Sequence, residues 1–393
     1  MLETLAPPVL DAKRQLSIQA TLASAETFTE GFTEDTFKSW QRALEMASSL
    51  GDVSQQLTCV VVMWAHRIRA PDFPAARRLA EIATALAQAA DDRGARAMAQ
   101  WMLGITQHHQ GDLAAARGSL QRSLEEDTPQ SRRAMLLQFG YDRRIPSMGA
   151  LSNLSWLEGH ATAARSLAAK AVTEARTSPY PVPLSEALTW QALTLHLSGD
   201  DPGEIDRLLD ETAAHAGPHF IDSYVGLALA LKGLNAARTR GVDTAMVAQG
   251  LHLLSASHYE VFHPLFQTEC ARLQVDAGEH LSPSMIDPLL RLSEAPDETW
   301  ETAEVRRNVS AVLRRHGAED RADQLLDAAG DCAERQGALA WGLRVAMDAH
   351  TVAADEPTRH QRRDRLAGLL AQFSDGEETL DVEAARHRLA GTG

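Results

Sequence analysis

One pattern recurs along this chain: a helix-like run ends on a turn residue, and an alanine-rich run begins immediately after it. The stretch QHHQGDLAAARGSLQRSLE, from Gln107 to Glu125, is a clear copy. The copies follow one another at intervals of 37 to 48 residues, most of them close to 40. A period of this length is typical of solenoids built from helical hairpins. The turns fall at or near Gly31, Pro71, Gly111, Gly159, Gly199, Gly241, Gly278, Gly317 and Asp355.

The residues of one copy explain why it predicts a helical hairpin. Gly111 can adopt the left-handed backbone conformation that closes a helix. Asp112 can then cap the next helix, because its side-chain oxygen accepts a hydrogen bond from a free backbone N–H. An apolar stripe with steps of three and four residues follows, as in an amphipathic helix; it consists of Leu113, Ala116, Leu120 and Leu124.

These observations predict an all-α fold, a right-handed α-solenoid of tetratricopeptide-like helical hairpins. We expect residues 1–393 to form one superhelix of about nine helix pairs, because each repeat buries its apolar face only against its neighbours. Residues 1–26 are predicted to form an N-terminal helix and cap, and residues 355–393 are predicted to form C-terminal capping helices.

The charge and the cysteines restrict the partners and the compartment. The net charge is −15, so we expect no direct binding of nucleic acid, which usually requires a basic surface. No apolar run approaches the roughly 18 residues of a membrane span, and no signal peptide is evident. Three widely separated cysteines, Cys59, Cys270 and Cys332, do not suggest a disulfide framework. The expectation is a cytoplasmic protein without a membrane partner.

No motif for catalysis or for a cofactor emerges. A phosphate-binding loop needs a lysine after glycine, and none of the four lysines follows one. The HExxH, CxxC and GxSxG motifs are also missing. The pair His108 and His109 can be read as part of a metal site or as solvated loop histidines, and we favour the second interpretation. We therefore predict no catalytic residue, no metal and no cofactor.

Four tryptophans are the first candidates for a binding surface: Trp64, Trp101, Trp156 and Trp190. Each lies in the helix that precedes a turn. By analogy with tetratricopeptide folds, these helices line the concave face, where a stripe of aromatic rings can hold a peptide or a flat ligand. The alternative is that the rings fill gaps between alanine-rich helices.

The second candidate is the segment FGYDRRIP, where the interval between turns lengthens from 40 to 48 residues. Insertions in repeat arrays often form loops on the binding face. Tyr141, Asp142, Arg143 and Arg144 bring an aromatic ring and both signs of charge together. The arginines can bind a carboxylate or a phosphate. Alternatively, Asp142 caps the next helix and the arginines are solvated.

Three stretches resemble the long C-terminal repeat region of bacterial signalling ATPases of the STAND class, which carry a winged-helix or adenylate cyclase domain. They are LGITQHHQGDLAAARGSLQRSLE, the segment FGYDRRIPSMGALSNLSWLEGH (Phe139–His160) and QFSDGEETLDVEAARHRLAG (Gln372–Gly391). Two positions depart from the family pattern, which usually has proline at Arg143 and an aromatic residue at Glu377. The resemblance implies a sensor or interaction arm whose ATPase or DNA-binding domain lies outside this sequence.

We therefore expect a non-catalytic regulatory, sensor or protein-interaction module that binds a protein segment or a small effector in the concave groove. One alternative is a scaffold for protein assembly without a ligand pocket. Another is an enzyme embedded in the repeats, with acid–base residues near Asp142 and His108. A deep aromatic groove would count against the scaffold, and carboxylates with strongly shifted pKa values in a pocket would favour the enzyme.

Overall fold

The computed structural model describes residues 7–139, 142–353, 355–374 and 377–391, and over these residues the chain is all helical, without a β-strand. The first nine helices are α1 (Pro7–Glu30), α2 (Glu34–Ser49), α3 (Val53–Arg69), α4 (Phe73–Ala90), α5 (Arg93–His109), α6 (Leu113–Glu126), α7 (Pro129–Phe139), α8 (Arg144–Leu157) and α9 (Ala161–Ala175). Two short 3-10 turns, Gly217–His219 and Ala236–Arg238, lie further along the chain.

The remaining helices complete the array. They are α10 (Pro181–Ser198), α11 (Pro202–Ala216), α12 (Asp222–Asn235), α13 (Thr244–Ala256), α14 (His263–Asp276), α15 (Pro283–Ser293), α16 (Thr302–Arg315), α17 (Glu319–Gln336), α18 (Leu339–Thr351), α19 (Glu356–Leu370) and α20 (Leu380–Ala390). None of the described helices is long and apolar enough to cross a membrane.

Each turn position found in the sequence separates two helices, so the helices form pairs. The first helices of the pairs are α1, α3, α5, α8, α10, α12, α14, α16 and α18, and the second helices are α2, α4, α6, α9, α11, α13, α15, α17 and α19. At one such turn Gly111 has a φ of 73°, a left-handed conformation that favours glycine. Asp112 Oδ1 then accepts from Ala115 N at 3.3 Å, which confirms the predicted cap of α6.

The extra length before α8 is largely helical rather than a loop. Residues Pro129–Phe139 form α7, an additional helix between the third and fourth pairs. Pro129 is its first residue, where proline is tolerated because that N–H has no helical acceptor. Methionine, leucine, glutamine and arginine favour a helix in the rest of the segment. The predicted loop, FGYDRRIP, is therefore wrong at Phe139, which belongs to α7, and at its last three residues, which begin α8.

The early and late pairs of the array meet. Arg69, at the end of α3, donates from Nη2 to Ser257 O at 2.8 Å. Its backbone O accepts from Glu260 N at 2.9 Å. At the end of α5, His109 O accepts from Trp300 N at 3.3 Å. These hydrogen bonds join segments that lie far apart in sequence. The superhelix therefore closes on itself.

Side chains fill the space inside the closed superhelix. One continuous cluster of buried apolar residues extends from Leu16 in α1 to Trp341 in α18. Helix α8 contacts α18, and every residue from Ile145 to Leu157 is buried. A helix that is buried on all sides belongs to a core, not to a groove wall. The concave side of this solenoid is thus occupied by the chain itself.

Candidate functional site

The four candidate tryptophans lie on first helices, where the sequence placed them. Trp64 is in α3, Trp101 in α5, Trp156 in α8 and Trp190 in α10. Their exposed fractions are only 3%, 3%, 2% and 9%. The prediction of an open aromatic groove at these positions is therefore wrong, because the closed superhelix leaves the rings inaccessible to a ligand.

The rings are covered by other parts of the same chain. Trp64 Nε1 donates to Thr106 Oγ1 at 2.9 Å, and its ring meets that of Trp101 edge to face. The ring of Trp156 meets that of Trp341, with a distance of 4.6 Å between the centroids. Edge-to-face pairs of this kind stabilise a core beyond the area they bury. The structure supports the alternative that these residues fill gaps between helices.

The charged segment before α8 is internal as well. Asp142 is 1% exposed, and it accepts from Arg132 Nε at 2.7 Å and from Arg144 N at 3.1 Å. Arg143 is 2% exposed and forms an ion pair with Asp127. Tyr141, also predicted for the site, lies outside the described residues.

Arg144 completes this set of contacts. Its guanidinium donates from Nε and Nη2 to the two carboxylate oxygens of Glu174, at 3.2 and 3.4 Å. Arg143 Nη2 donates to Ser131 Oγ at 2.8 Å. The arginines therefore connect α8 with α7 and α9; Arg143 is buried, whereas the Arg144 side chain is still 24% exposed. The expectation that they are free to bind a carboxylate or a phosphate is corrected, because both already have internal acceptors.

A buried ionic cluster lies where α16, α18 and α20 meet. Glu304 Oε1 and Oε2 each accept from Arg307 at 2.7 Å, and Oε1 also accepts from Arg344 Nη1 at 2.9 Å. Burial opposes ionisation of Glu304, but the two guanidinium groups outweigh it and lower the pKa to about 2. Arg307 also pairs with Asp348 at 2.6 Å, and Arg344 pairs with Asp381 at 2.7 Å. The cluster is satisfied internally, which indicates a structural role.

Arg344 extends the cluster to the first half of the chain. Its Nη2 donates to Leu197 O at 2.8 Å, at the C-terminal end of α10. Its guanidinium carbon also lies 5.3 Å from the ring centroid of Trp156 and 5.0 Å from that of Trp341. A cation is favoured both at the C-terminus of a helix and over an aromatic face. Arg344 therefore holds the closed arrangement together.

The histidines at the end of α5 are buried, contrary to the prediction that they are solvated. His108 Nε2 lies 2.8 Å from Asn153 Oδ1, and its ring stacks on that of Trp300. Burial lowers the pKa of His108 to about 4. His109 stacks on Phe73, and burial lowers its pKa as well. Both side chains are therefore neutral at pH 7 and belong to the core.

Two groups in the described interior have strongly raised pKa values. Burial raises the pKa of the Glu301 carboxyl to about 8 and that of the Cys59 thiol to about 12. A cavity of about 10 Å³ lies between Trp156 and Phe373. This volume holds about one water molecule. Among the described residues, no three histidine, cysteine or acidic side chains are grouped so that they can bind a metal ion.

A larger cavity of about 370 Å³ lies on the outside, and we call it the outer cleft. It opens between the end of α15, the segment before α16, and α17. Glu298 pairs with Arg306 at 2.8 Å and with Arg335 at 2.7 Å. These two cations outweigh the effect of burial and lower the pKa of Glu298. Arg321, Asp331 and Glu294 lie at its edges, so the outer cleft presents both signs of charge.

One further surface, on α1, was not predicted from the sequence. Ile18, Leu22 and Phe28 are 61%, 49% and 81% exposed. The available signal was their spacing in a long N-terminal helix. Single exposed apolar residues are ordinary, but three along one helix form an exposed apolar patch.

No protein-family model and no curated protein matches this chain. Among solved structures, the chain is similar to the human IFIT1 dimer with PPP-AAAA, at 11% identity and a TM-score of 0.39, covering 100% of this chain and 91% of that chain. It is also similar to a circular tandem repeat protein with novel repeat topology and enhanced subunit contact surfaces. That similarity has 14% identity and a TM-score of 0.15, covering 98% of this chain and 86% of that chain. These similarities are too distant to transfer a function.

Proposed function

We propose that this chain is a non-catalytic protein-interaction module that binds a polypeptide on its outer surface and holds no ligand inside the superhelix. The observation that carries the proposal is the burial of Trp64, Trp101, Trp156 and Trp190 between helices of the same chain. Because the interior is filled, a scaffold for protein assembly is favoured over a sensor that binds its ligand in a concave groove. Catalysis is disfavoured because the strongly shifted carboxyls, Glu301 and Glu304, are buried and do not line the outer cleft.

The outer cleft is the binding surface that the geometry favours. It is a shallow, open depression of about 370 Å³ with a mainly polar lining, which suits an extended polypeptide better than a small ligand that needs an enclosed apolar pocket. Its arginines already pair with Glu294 and Glu298, but these ion pairs are partly exposed to solvent and therefore weak, so charged side chains of a peptide can exchange with them. Leu325 and Ala328 add a small apolar floor between these charges. We propose that an extended polypeptide segment with charges of both signs binds there.

The regulatory context is a further part of the proposal. The stretches from Leu103 to Glu125, from Phe139 to His160 and from Gln372 to Gly391 resemble the repeat arm of STAND-class signalling ATPases. A role as such an arm is consistent with a module that binds polypeptides. The partner would then belong to the ATPase or DNA-binding part of the assembly. Regulation by such a partner requires that it bind two states of the module with different affinities.

The test is selection of binding peptides from a displayed random library with the full chain as bait, followed by hydrogen exchange of the complex. We expect the bound peptide to protect α15, α17 and the segment between α15 and α16. Glu298→Lys reverses the central charge of the outer cleft and should weaken binding at least about tenfold, or about 1.4 kcal/mol. Glu356→Lys, an exposed change outside the outer cleft, is the matched control and should have no effect.

Two results would overturn this proposal. One is protection confined to the first helices around the four tryptophans, which would mean that the superhelix opens and binds in its concave face. The other is a small molecule retained by the purified chain in native mass spectra and lost on substitution of Trp190. Either result would restore the sensor interpretation.

A further inference from the structure

An exposed seam runs along α1 with the spacing of a coiled coil. The seam residues follow one another at steps of four and three, as the a and d positions of a heptad do. Each of them is exposed, although α1 packs on α2 with its opposite face. The seam consists of Asp11, Gln15, Ile18, Leu22, Ala25 and Thr29.

The same positions are covered in a later repeat. Counted back from the turn glycine, Leu22 and Phe28 of the first pair correspond to Met102 and His108 of the third pair. Met102 and His108 are 0% exposed, whereas Leu22 and Phe28 are 49% and 81% exposed. Leu22 and Phe28 therefore occupy positions that are buried in the third pair, whereas Ile18 corresponds to Met98, which is half-buried. In the described structure nothing covers them.

The charges of α1 show which occupant fits. The N-terminal half carries two exposed cations, Lys13 and Arg14, and one exposed carboxylate, Asp11, whereas the C-terminal half carries two carboxylates, the half-buried Glu26 and the exposed Glu30. No lysine or arginine lies between residues 15 and 30. A second α1 in the antiparallel direction places the cations of each copy near the carboxylates of the other, whereas a parallel one places like charges together. A patch that complements itself in this way is what a two-fold interface requires.

We propose that α1 binds α1 of a second copy of this chain, antiparallel, through the exposed seam. Ile18 of each copy then packs beside Leu22 of the other. Thr21 lies next to Thr21 of the second copy at the two-fold axis. Arg14 of one copy approaches the exposed ring of Phe28 of the other, an arrangement that favours a cation. The interface is separate from the outer cleft, so self-association and peptide binding occur independently.

The first experiment measures self-association of the full chain by sedimentation velocity over a series of concentrations. A single helix pair buries less than a standard interface of about 1,600 Å², so we expect a reversible dimer that dissociates on dilution. Leu22→Asp places two carboxylates in the seam and should raise the dissociation constant more than about tenfold. Because Leu22 is half exposed, this variant should keep the helix content of the original chain.

The matched control is Phe220→Ser, which removes an apolar side chain that is 89% exposed and distant from α1 in sequence. Its dissociation constant should not change. The proposal is overturned if the original chain stays monomeric at the highest concentration, if Leu22→Asp dimerises equally well, or if Phe220→Ser weakens the dimer as much as Leu22→Asp does.

The second experiment tests the direction of the helices by cysteine cross-linking. The native thiols of Cys59, Cys270 and Cys332 are buried, so an added surface cysteine is the reactive one. In the antiparallel pair, Thr21→Cys should form a disulfide with its counterpart in the second copy. Ile18→Cys should give little cross-linked dimer. Efficient cross-linking of Ile18→Cys without that of Thr21→Cys would indicate parallel helices and would overturn the proposed geometry.

Discussion

At the scale of single residues, burial determines the protonation of His108. The side chain is fully buried against Asn153 and Trp300, and its pKa is lowered from 6.5 to about 4. The unfolded chain takes up this proton near pH 6.5, whereas the folded chain takes it up only near pH 4. Acidification therefore favours the unfolded state within this window. His109 acts in the same direction, because its pKa is also lowered by burial.

The first prediction concerns this pH dependence. Between pH 7 and pH 5 the His108 contribution lowers the free energy of unfolding by about 2 kcal/mol. His108→Gln removes the titrating group, so its unfolding free energy should fall by about 2 kcal/mol less over the same interval. Urea unfolding at pH 7 and pH 5 measures this change in unfolding free energy for the original chain and for the variant. His160→Gln, at an exposed position, should show the same change in unfolding free energy between the two pH values as the original chain. Equal changes for all three proteins would contradict the assigned burial.

Residue-scale environments were the least predictable part of the candidate site. His108 was interpreted as a solvated histidine because it lies just before a turn, a position that is often exposed. Its partners, Asn153 and Trp300, are 45 and 192 positions away in the chain. No local pattern encodes such neighbours. Likewise, Arg143 and Arg144 were suited to an anion, but nothing local indicated that Asp127 and Glu174 already bind them.

At the scale of helices, local sequence was informative. Gly111 and Asp112 end one helix and cap the next, because both effects depend on residues within one turn. The same local logic located the turn within each of the nine helix pairs, but not the turns between pairs, such as those at Gly51 and Gly337. Helix α7 was missed because the extra residues of the long interval were interpreted as an insertion loop. Helix-forming residues in that segment were a usable signal.

The second prediction concerns the close packing of α8 on α10. A Cβ atom added at Gly149 would lie 2.4 Å from the ring of Trp190. Gly149→Ala should therefore lower the free energy of unfolding by about 1–3 kcal/mol, the usual cost of overpacking a core. Thermal unfolding measures the change.

The control for this change lies in α6. A Cβ atom at Gly118 would meet only the flexible end of Arg122, at 3.4 Å. Gly118→Ala should leave stability unchanged or raise it by up to about 1 kcal/mol, because alanine favours a helix. If both substitutions have the same effect, Trp190 does not pack on the backbone of α8.

At the scale of the whole molecule, contacts between the two halves of the chain determine which surfaces of the solenoid a ligand can reach. The tryptophans are on the helices that sequence analysis assigned to the concave face. Their burial depends on contacts between halves of the chain, such as the hydrogen bond of Arg344 with Leu197 O across 147 positions. Repeat periodicity predicts how a repeat contacts its neighbours but carries no information on the closing of a superhelix. The hairpins were therefore predictable, and the absence of an open aromatic groove around these tryptophans was not.

The third prediction tests the residue that joins the halves. Arg344→Ala removes contacts with Glu304, Asp381 and Leu197 O at once. It should lower the free energy of unfolding by about 3 kcal/mol, because buried partners lose their cation. Hydrogen exchange should increase in α20 and at the end of α10.

Two further variants identify the cause of this effect. Arg344→Lys should recover little of the stability that Arg344→Ala loses, because an ammonium group cannot reproduce the planar contacts of a guanidinium. Arg359→Ala removes a half-exposed ion pair with Glu356 and should cost less than about 1 kcal/mol. Full recovery by lysine would show that charge alone matters at this position.

The most direct test of the closed superhelix is its radius of gyration in solution. Small-angle X-ray scattering of the Leu22→Asp chain at low concentration avoids self-association. We expect a value close to the roughly 21 Å of a compact chain of this length. An open solenoid of stacked hairpins spaced by about 10 Å would give roughly 28 Å or more. The smaller value supports the filled interior, and the larger one would contradict it and return the tryptophans to an accessible groove.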